Sequence, residues 1–411
     1  MADFPAEITG GVDTHKHAHM AAAVDSAGRL LATAAFAADA SGYQQMLGWL
    51  ESQGTVACVG VEGTGSYGAR LARYLQAAGV KTVEVNRPNR QFRRRRGKTD
   101  AVDAEAAARA ALSGQADAVP KAANGPVEAI RMLQAARRSA VKARTQAANQ
   151  IHNIAVTAPE PIRDRLAGLR GRHIIEACAQ MRPSAAADPA TAAADPATAA
   201  AKTALRLLAR RHRALGAEIA QLDEELLGLC QQANPALLGA RGVGAEVAAV
   251  LLAAAGDNPE RMRTEPAFAA LCGASPIQAS SGQTTRHRLN RSGNRQANNA
   301  LWRIAITRLR TDPRTIAYAQ RRRAEGKTSK EIVRCLKRYI AREIYWILTD
   351  PPPTPQGADL RRQRQRQGLT IAATAHTLNV APTRISALER GKYHNSDLAH
   401  RYQQHLTKTP A

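Results

Sequence analysis

Residues 98–112, KTDAVDAEAAARAAL, read as a helix that opens on acids, and the rest of the chain can be read outward from them. Asp100 and Asp103 stand three apart at its start and so share one face. Two upstream apolar runs each end in an acid: ITGGVD (8–13) on Asp13 and VACVGVE (56–62) on Glu62. Strand-end carboxylates facing a helix-borne pair can hold two hard divalent cations, the arrangement that in-line phosphoryl transfer uses. The plainer reading is that acids near a helix N-terminus cap free N–H groups and complement the dipole. Asp103 lies one turn in, where no cap is needed, and Glu62 enters a glycine-rich turn; both positions favour ligation.

Around these acids, residues 8–113 read as α/β. ITGGVD is strand-like, and HMAAAVDSAGRLLATAAF (19–36) reads as a hairpin about Asp25-Ser26-Ala27-Gly28. VACVGVE and KTVEVN (81–86) are further short strands, with helical spacing between them over Tyr43–Leu50 and Ser66–Ala78. Three strands followed by helix, strand, helix, strand, helix is the order of an RNase H-like domain, assigned here to residues 1–113. The all-α remainder divides at residues 114–234, 235–349, 350–357 and 358–411. In the first of these, 126–170 and 202–233 read as long amphipathic helices. Leu205, Leu208, Leu215, Ile219, Leu222, Leu226 and Leu227 make a near-heptad stripe, which predicts a coiled-coil, oligomerising arm. The tandem DPATAAA repeat between them predicts an unstructured spacer over 183–201. Residues 350–357, DPPPTPQG, are a proline-rich linker.

Charge narrows the function classes. The 411 residues carry 58 Lys and Arg against 34 Asp and Glu, a formal net charge of +24. Residues 1–86 nonetheless hold only five basic side chains and eight acidic ones. A near-neutral catalytic module joined to polyanion-gripping modules has this distribution. PNRQFRRRRGK (88–98) is a basic loop, and residues 286–343 hold seventeen basic residues and four acidic ones. A one-sign surface of that kind implies phosphate contact, whereas a merely solvated face mixes signs. Five scattered cysteines without a CxxC pair exclude a disulfide framework and a zinc ribbon. The N-terminus lacks a signal-peptide pattern and no apolar run reaches bilayer length, so the expected location is cytoplasmic, at the nucleoid.

GVDTHKHAH (11–19), GVEGTGSYG (60–68) and RRRRGKTDAVDAEAAARA (93–110) resemble the three blocks of the DEDD transposases of the IS110/IS1111 insertion sequences. The N-terminal domain of that family is similar to the RuvC Holliday-junction resolvase. The resemblance implies that Asp13, Glu62, Asp100 and Asp103 are an acidic tetrad binding two Mg²⁺ ions, with Mn²⁺ able to substitute. Lys16 and Lys98, with Arg93, Arg94, Arg95 and Arg96 of the basic loop, become candidate phosphate contacts. Solvated lysines are the alternative.

The resemblance resumes downstream. LLGARGVGAEVAAVLLAAAGD (237–257) reads as a helix-hairpin-helix, its turn at Gly242 and Gly244 opening a helix whose N–H groups can meet a backbone phosphate. A packing role for the glycines is the alternative. FAALCGASPIQASSGQTTRHRLNRSGNRQANNALWRIA (268–305) is similar to the family's second block, in which a serine joins DNA covalently. The match assigns that nucleophile to Ser281, with Ser280 as the neighbouring candidate; by itself Ser-Ser-Gly is an ordinary turn. Arg286, Arg288, Arg291 and Arg295 would line the same DNA. Gln283 and Thr284 replace a glycine and a lysine of the family pattern, a departure that bears on the phosphate contacts and leaves the serine intact.

LRRQRQRQGLTIAATAHTLNVAPTRISALERGKY (360–393) resembles a Cro/C1-type helix-turn-helix. Ala372, Ala375 and Leu378 would face its core, and Thr383, Arg384 and Ser386 the major groove. A protein-contact module is the alternative. Together these features predict an insertion-sequence DNA transposase or recombinase, Mg²⁺-dependent, at least dimeric and more readily tetrameric. The resemblance implies a bridge RNA encoded by the element as guide. The tetrad and Ser281 would meet in one chain or across subunits. Rival readings are a RuvC-like junction-resolving endonuclease or site-specific invertase, and a non-catalytic DNA-binding regulator.

Overall fold

The computed structural model describes residues 6–85, 99–182, 195–258, 261–280, 282–283, 287–288, 290, 293–350, 355–393 and 395–408. It divides the chain into two units, Met1–Gly125 with Ala255–Thr264, and Pro126–Ala254 with Glu265–Ala411.

The first unit is built on a five-stranded sheet. β1 (Glu7–Thr14), β2 (Ala18–Asp25) and β3 (Leu30–Ala37) form an antiparallel meander. β4 (Thr55–Glu62) and β5 (Thr82–Val85) add in parallel on the other side of β1, so the order is β3-β2-β1-β4-β5. The β2–β3 turn is fastened by Asp25, whose carboxylate accepts from Ala27 N and Arg29 N, with Gly28 at φ +76°. Helices α1 (Ala40–Gln53) and α2 (Ala69–Ala77) place Tyr43, Met46, Leu50, Leu71 and Leu75 in one core with Val12 and Val59. α2 starts at Ala69 and not at Ser66, because residues 63–68 are spent in a turn that begins at left-handed Gly63.

The opposite face belongs to α3 (Asp100–Leu112), capped by Thr99, whose hydroxyl accepts from Val102 N. Gly11 and Gly60 are register partners on β1 and β4. A Cβ on Gly11 would lie 2.1 Å from Ala108 N and 2.3 Å from Ala104 O. One on Gly60 would lie 2.7 Å from Ala107 O. The helix backbone therefore rests on bare strand backbone, with Ala104, Ala107 and Ala108 buried against it. Strand side chains alternate faces, so Asp13 and Glu62, each two residues beyond its glycine, fall on the same face as α3.

The segment Ala255–Thr264 also belongs to this unit. Asn258 donates to Pro120 O (3.0 Å) and accepts from Ala122 N (3.0 Å); Arg261 donates to Val119 O (2.9 Å), and Arg263 pairs with Asp117 at 2.8 Å. The sequence reading assigns this segment to the downstream block. Short polar stretches carry no periodicity that would reveal such docking.

In the second unit, α4 (Pro126–Thr157) and α7 (Pro196–Ala233) lie antiparallel: Arg137 pairs with Asp223, while Ile151 shares a core with Leu205 and Ala209. The expected 126–170 helix breaks at Pro159 and resumes as α5 (Glu160–Leu166), followed by α6 (Arg172–Ala179). The expected spacer is shortened as well. Asp195 caps α7 by accepting from Thr198 N and Pro196 occupies its first turn, so residues 196–201 are helical; residues 183–194 lie outside the described residues. Leu205, Ile219, Leu222 and Leu226 of the stripe are buried, Leu208 and Leu215 are half-buried and Leu227 is exposed.

Next come α8 (Pro235–Gly239), α9 (Ala245–Ala255), α10 (Glu265–Leu271), a ribbon of β6 (Ile277–Gln278) and β7 (His287–Arg288), α11 (Arg295–Thr311), α12 (Pro313–Ala324) and α13 (Ser329–Thr349). Four short helices follow: α14 (Gly357–Arg366), α15 (Ile371–Leu378), α16 (Pro382–Glu389) and α17 (Ser396–Lys408). They share a core of Leu360, Ala375, Leu378, Ile385, Leu388 and Tyr402. Ala372 is exposed; the inward stripe of α15 runs from half-buried Ile371 through Thr374 and Ala375 to Leu378. Buried Arg364 clamps Glu389 at 2.7 and 3.0 Å, and Tyr402 donates to the same carboxylate at 2.6 Å. Among the described residues, no helix is long and apolar enough to cross a membrane.

The glycine seat makes a direct prediction. Gly11→Ala forces helix backbone away from the sheet and should cost at least about 1–3 kcal/mol in urea unfolding. Gly48→Ala, on α1 with nothing within 4 Å of its added Cβ, should stabilise by about 0.5–1 kcal/mol.

Candidate metal centre

Asp13, at the C-terminal end of β1, is buried at 8% exposure. His15, in the turn just past β1, sets its Nε2 3.1 Å from Asp13 Oδ2 and 3.4 Å from Asp100 Oδ1. One ligand atom from each of Asp13, His15 and Asp100 lies within 4.8 Å of the other two. The end of β1 thus supplies one donor, the turn just past it a second, and the first turn of α3 a third. Asp103, also buried, is close enough for its charge to act on Asp13. Glu62 ends the neighbouring strand, and its carbonyl accepts from Thr14 Oγ1 at 2.9 Å, which ties the two strand ends together. The carboxylates of Asp103 and Glu62 lie outside the three-ligand group among the described residues. Glu105, buried in the same helix, pairs with Arg109 at 2.6 Å.

Burial raises the Asp13 carboxyl above the usual aspartate range. The His15 charge and hydrogen bond oppose that shift, and the charges of Asp103 and Asp100 add to it. A group whose folded pKa is raised favours folding while protonated, and that contribution is lost as pH rises through the folded value. Ionised Asp13 is therefore a local cost that a cation would relieve. The carboxylate oxygens suit a hard divalent cation, whereas the imidazole is a donor that transition ions take more readily.

Sequence alone does not single out His15; the available signal is its place two residues past Asp13, in the turn that directly follows the strand end. His19 was missed as well. It is buried, pairs in register with Thr14, stacks on Tyr43 at 5.7 Å and accepts from His15 N at 3.3 Å. Burial holds its pKa below the usual histidine range, so it props the turn as a neutral ring. Lys16 is exposed on that turn. Arg93, Arg94, Arg95, Arg96 and Lys98 lie outside the described residues.

In the second unit, Ser280 is exposed and its Oγ accepts from Gln278 Nε2 at 3.4 Å; Gly282 has φ +56° with open space where a Cβ would stand. Ser281, Arg286 and Arg291 lie outside the described residues. Arg288 on β7 is exposed, as is Arg295 at the start of α11. Gly242 has φ +80° and packs toward Ile304, whereas Gly244 faces open space. Glu246, in the first turn of α9, pairs with Arg303 at 2.7 Å and Arg137 at 3.4 Å. The negative charge that this helix end attracts is thus partly supplied from within the unit. Thr383 and Arg384 are exposed on α16 and Ser386 is half-buried.

Residues 10–157, which include all four acids, match the IS110 DEDD transposase family model. Residues 234–320 match the transposase model of the IS116/IS110/IS902 family, so the two together take in more than half of the chain. The chain belongs to the IS110 family of transposases. A Streptomyces coelicolor protein named "Insertion element IS110 uncharacterized 43.6 kDa protein" is 30% identical to it over 163 residues. That alignment takes in 39% of this IS110-family chain and 39% of the relative, so the chain spans about two fifths of the relative's length. The four C-terminal helices lie beyond both family matches.

Adding Mg²⁺ to a hundredfold excess over its Kd should stabilise the protein by about 2.7 kcal/mol. The increment should vanish as pH falls through the raised pKa of Asp13. Asp13→Asn should melt no lower than wild type in EDTA at neutral pH and show no metal increment. Thermal scans with and without Mg²⁺ check both statements.

Proposed function

We propose that the chain is a DNA recombinase of an insertion sequence, which cuts and rejoins strands at a carboxylate-held metal centre with a serine nucleophile. The observation that carries this reading is the convergence of Asp13 from a strand and Asp100 from a helix, with Asp103 beside them. The sheet order, two parallel strands beside a three-stranded meander, supports an RNase H-like, RuvC-related domain. Asp13, Glu62, Asp100 and Asp103 would hold two Mg²⁺ ions, with His15 an added ligand or a hydrogen-bond partner that orients Asp13. Cations held there would supply stabilisation of negative charge on the phosphoryl and leaving oxygens.

The chain's own groups do the rest. The Ser281 hydroxyl displaces a sugar oxygen at phosphorus, which leaves a phosphoserine and a free sugar hydroxyl. Ser280 is the alternative nucleophile. Lys16, Lys98 and Arg93 to Arg96 hold backbone phosphates, as do the arginines that flank the serine. The net charge of +24 leaves capacity for a guide RNA encoded by the element as well as DNA. Strand exchange engages two duplexes and cuts at least two strands of each, so the working form is a dimer or tetramer. Exposed Thr383 and Arg384 on a short second helix support a helix-turn-helix role for the C-terminal bundle, reading a major groove.

The test is incubation of the purified protein with Mg²⁺ and the ends of its element, followed by denaturing electrophoresis. A covalent protein–DNA adduct is expected, and Ser281→Ala should remove it. Asp100→Ala and Asp103→Ala should each reduce cleavage by roughly a hundredfold or more. Neither should lower Tm, because clustered like charges repel. Hydrolysed ends without an adduct, indifferent to Ser281→Ala, would replace this reading with a junction-resolving nuclease.

A further inference from the structure

Helices α11 and α13 enclose a groove of about 480 Å³ in the second unit. That volume falls within the range of small-molecule sites, about 300–1,000 Å³. Arg295, Asn298 and Trp302 line one wall at spacings of three and four, and Lys330, Arg334 and Lys337 line the other at the same spacings. Each helix thus turns one face into the groove.

Lys337 sits at its base with only 9% exposure, and its Nζ donates to Asn298 Oδ1 at 3.0 Å. The Asn298 amide is fixed for this by donating its own N–H groups to Cys272 O (2.8 Å) and Gly273 O (3.0 Å). One neutral oxygen is a poor counterpart for a buried ammonium. Burial and the Arg334 charge hold Lys337 below the usual lysine range, and a bound anion would reverse that shift.

No acid stands among the groove's described lining residues. Several other cations of the same helices are paired: Arg308 with Glu343 at 2.6 Å, and Arg338 and Arg342 with Glu265. Glu331, the acid nearest in sequence to Lys330 and Arg334, is turned to its own helix end, where it accepts from Thr328 N at 2.8 Å and Thr328 Oγ1 at 2.7 Å. Four cations therefore share one recess with a large aromatic ring and no lining carboxylate, the Glu331 charge reaching Arg334 from outside the recess. Trp302 is 45% exposed there, which leaves part of its indole available to a ligand in the groove.

We propose that this groove seats one unpaired nucleotide of a nucleic-acid strand, its phosphate on Lys337, Arg334, Lys330 and Arg295 and its base laid against the Trp302 indole. Cations that follow a backbone beside an aromatic platform are the general means of gripping single strands. The proposal rests on the reading of the chain as a nucleic-acid-handling protein, but on none of its strand chemistry. A displaced DNA strand and an unpaired RNA segment present the same phosphate and base face, and differ at the 2′-hydroxyl.

The full chain is titrated in EDTA with fluorescein-labelled 15-mers of deoxythymidine and of uridine, read by anisotropy, with a 15-bp DNA duplex as comparison. Trp302→Ala and Lys337→Gln should each weaken single-strand binding about tenfold, and Trp302→Phe and Lys337→Arg should retain most of it. Lys337→Gln should also lower the slope of log K against log salt by about 0.7, the loss of one phosphate contact. In a Trp49→Phe/Trp346→Phe background, where Trp302 is the remaining indole, either strand should quench its fluorescence saturably. A preference between the two 15-mers identifies the source of the strand. Unchanged single-strand affinity in both Trp302→Ala and Lys337→Gln, or absent quenching, overturns the proposal even where Mg²⁺-dependent cleavage persists. Quenching that survives in Asp103→Asn sustains it even where cleavage fails.

Discussion

The contact between the alanine face of α3 and the paired glycines of β1 and β4 is the constraint on which the rest of the first unit depends. Helices ordinarily pack on sheets across a layer of side chains about 10 Å thick. Here Gly11 and Gly60 remove that layer at the one place where α3 crosses the sheet. Close approach brings the first turn of the helix level with the strand ends, and the pleat turns Asp13 toward it. Any side chain at Gly11 would lift the helix and part Asp100 from Asp13. The acids and the glycines are thus two aspects of one geometry, separated by a single strand repeat.

That closeness is electrostatically unfavourable, and the structure offsets it only in part. His15 bridges Asp13 and Asp100, and neutral His19 supports the backbone that carries His15. Thr14 holds the ends of β1 and β4 together through the Glu62 carbonyl. A cluster of acids maintained against its own repulsion is a preorganised cation site; had selection acted on stability alone, asparagine would serve better at Asp13.

Much of the α/β architecture was legible because its signals are local. Apolar runs that end in acids, the Asp25–Gly28 turn and the alanine run after residue 99 each specify a strand, a turn or a helix within ten or so residues. Misreadings arose where distant partners or one residue of phase decide the outcome. The docking of Asn258 and Arg261 onto Pro120 and Val119 leaves no periodic trace. The α15 stripe begins one residue before the one expected, since Ile371, Thr374 and Leu378 satisfy the helical period as well as Ala372 does. The Asp195-Pro196 pair falls within the spacer expected over 183–201, yet it is a cap followed by a first-turn proline. At the candidate site, Asp13 and Asp100 were conspicuous as acids, whereas His15 was hidden in a turn rich in histidine and lysine. The Trp302 groove was invisible because it needs two helices, separated by seventeen residues of chain, to face one another.

The return of Ala255–Thr264 to the first unit bears on how the protein is made. The ribosome delivers the sheet first, but the residues that fasten Asp117, Val119, Pro120 and Ala122 emerge only after the intervening helices have been translated. At typical elongation rates that delay is roughly ten seconds. Through that interval the first unit exists without these fastenings, and they form only once the arm that follows the sheet has left the exit tunnel.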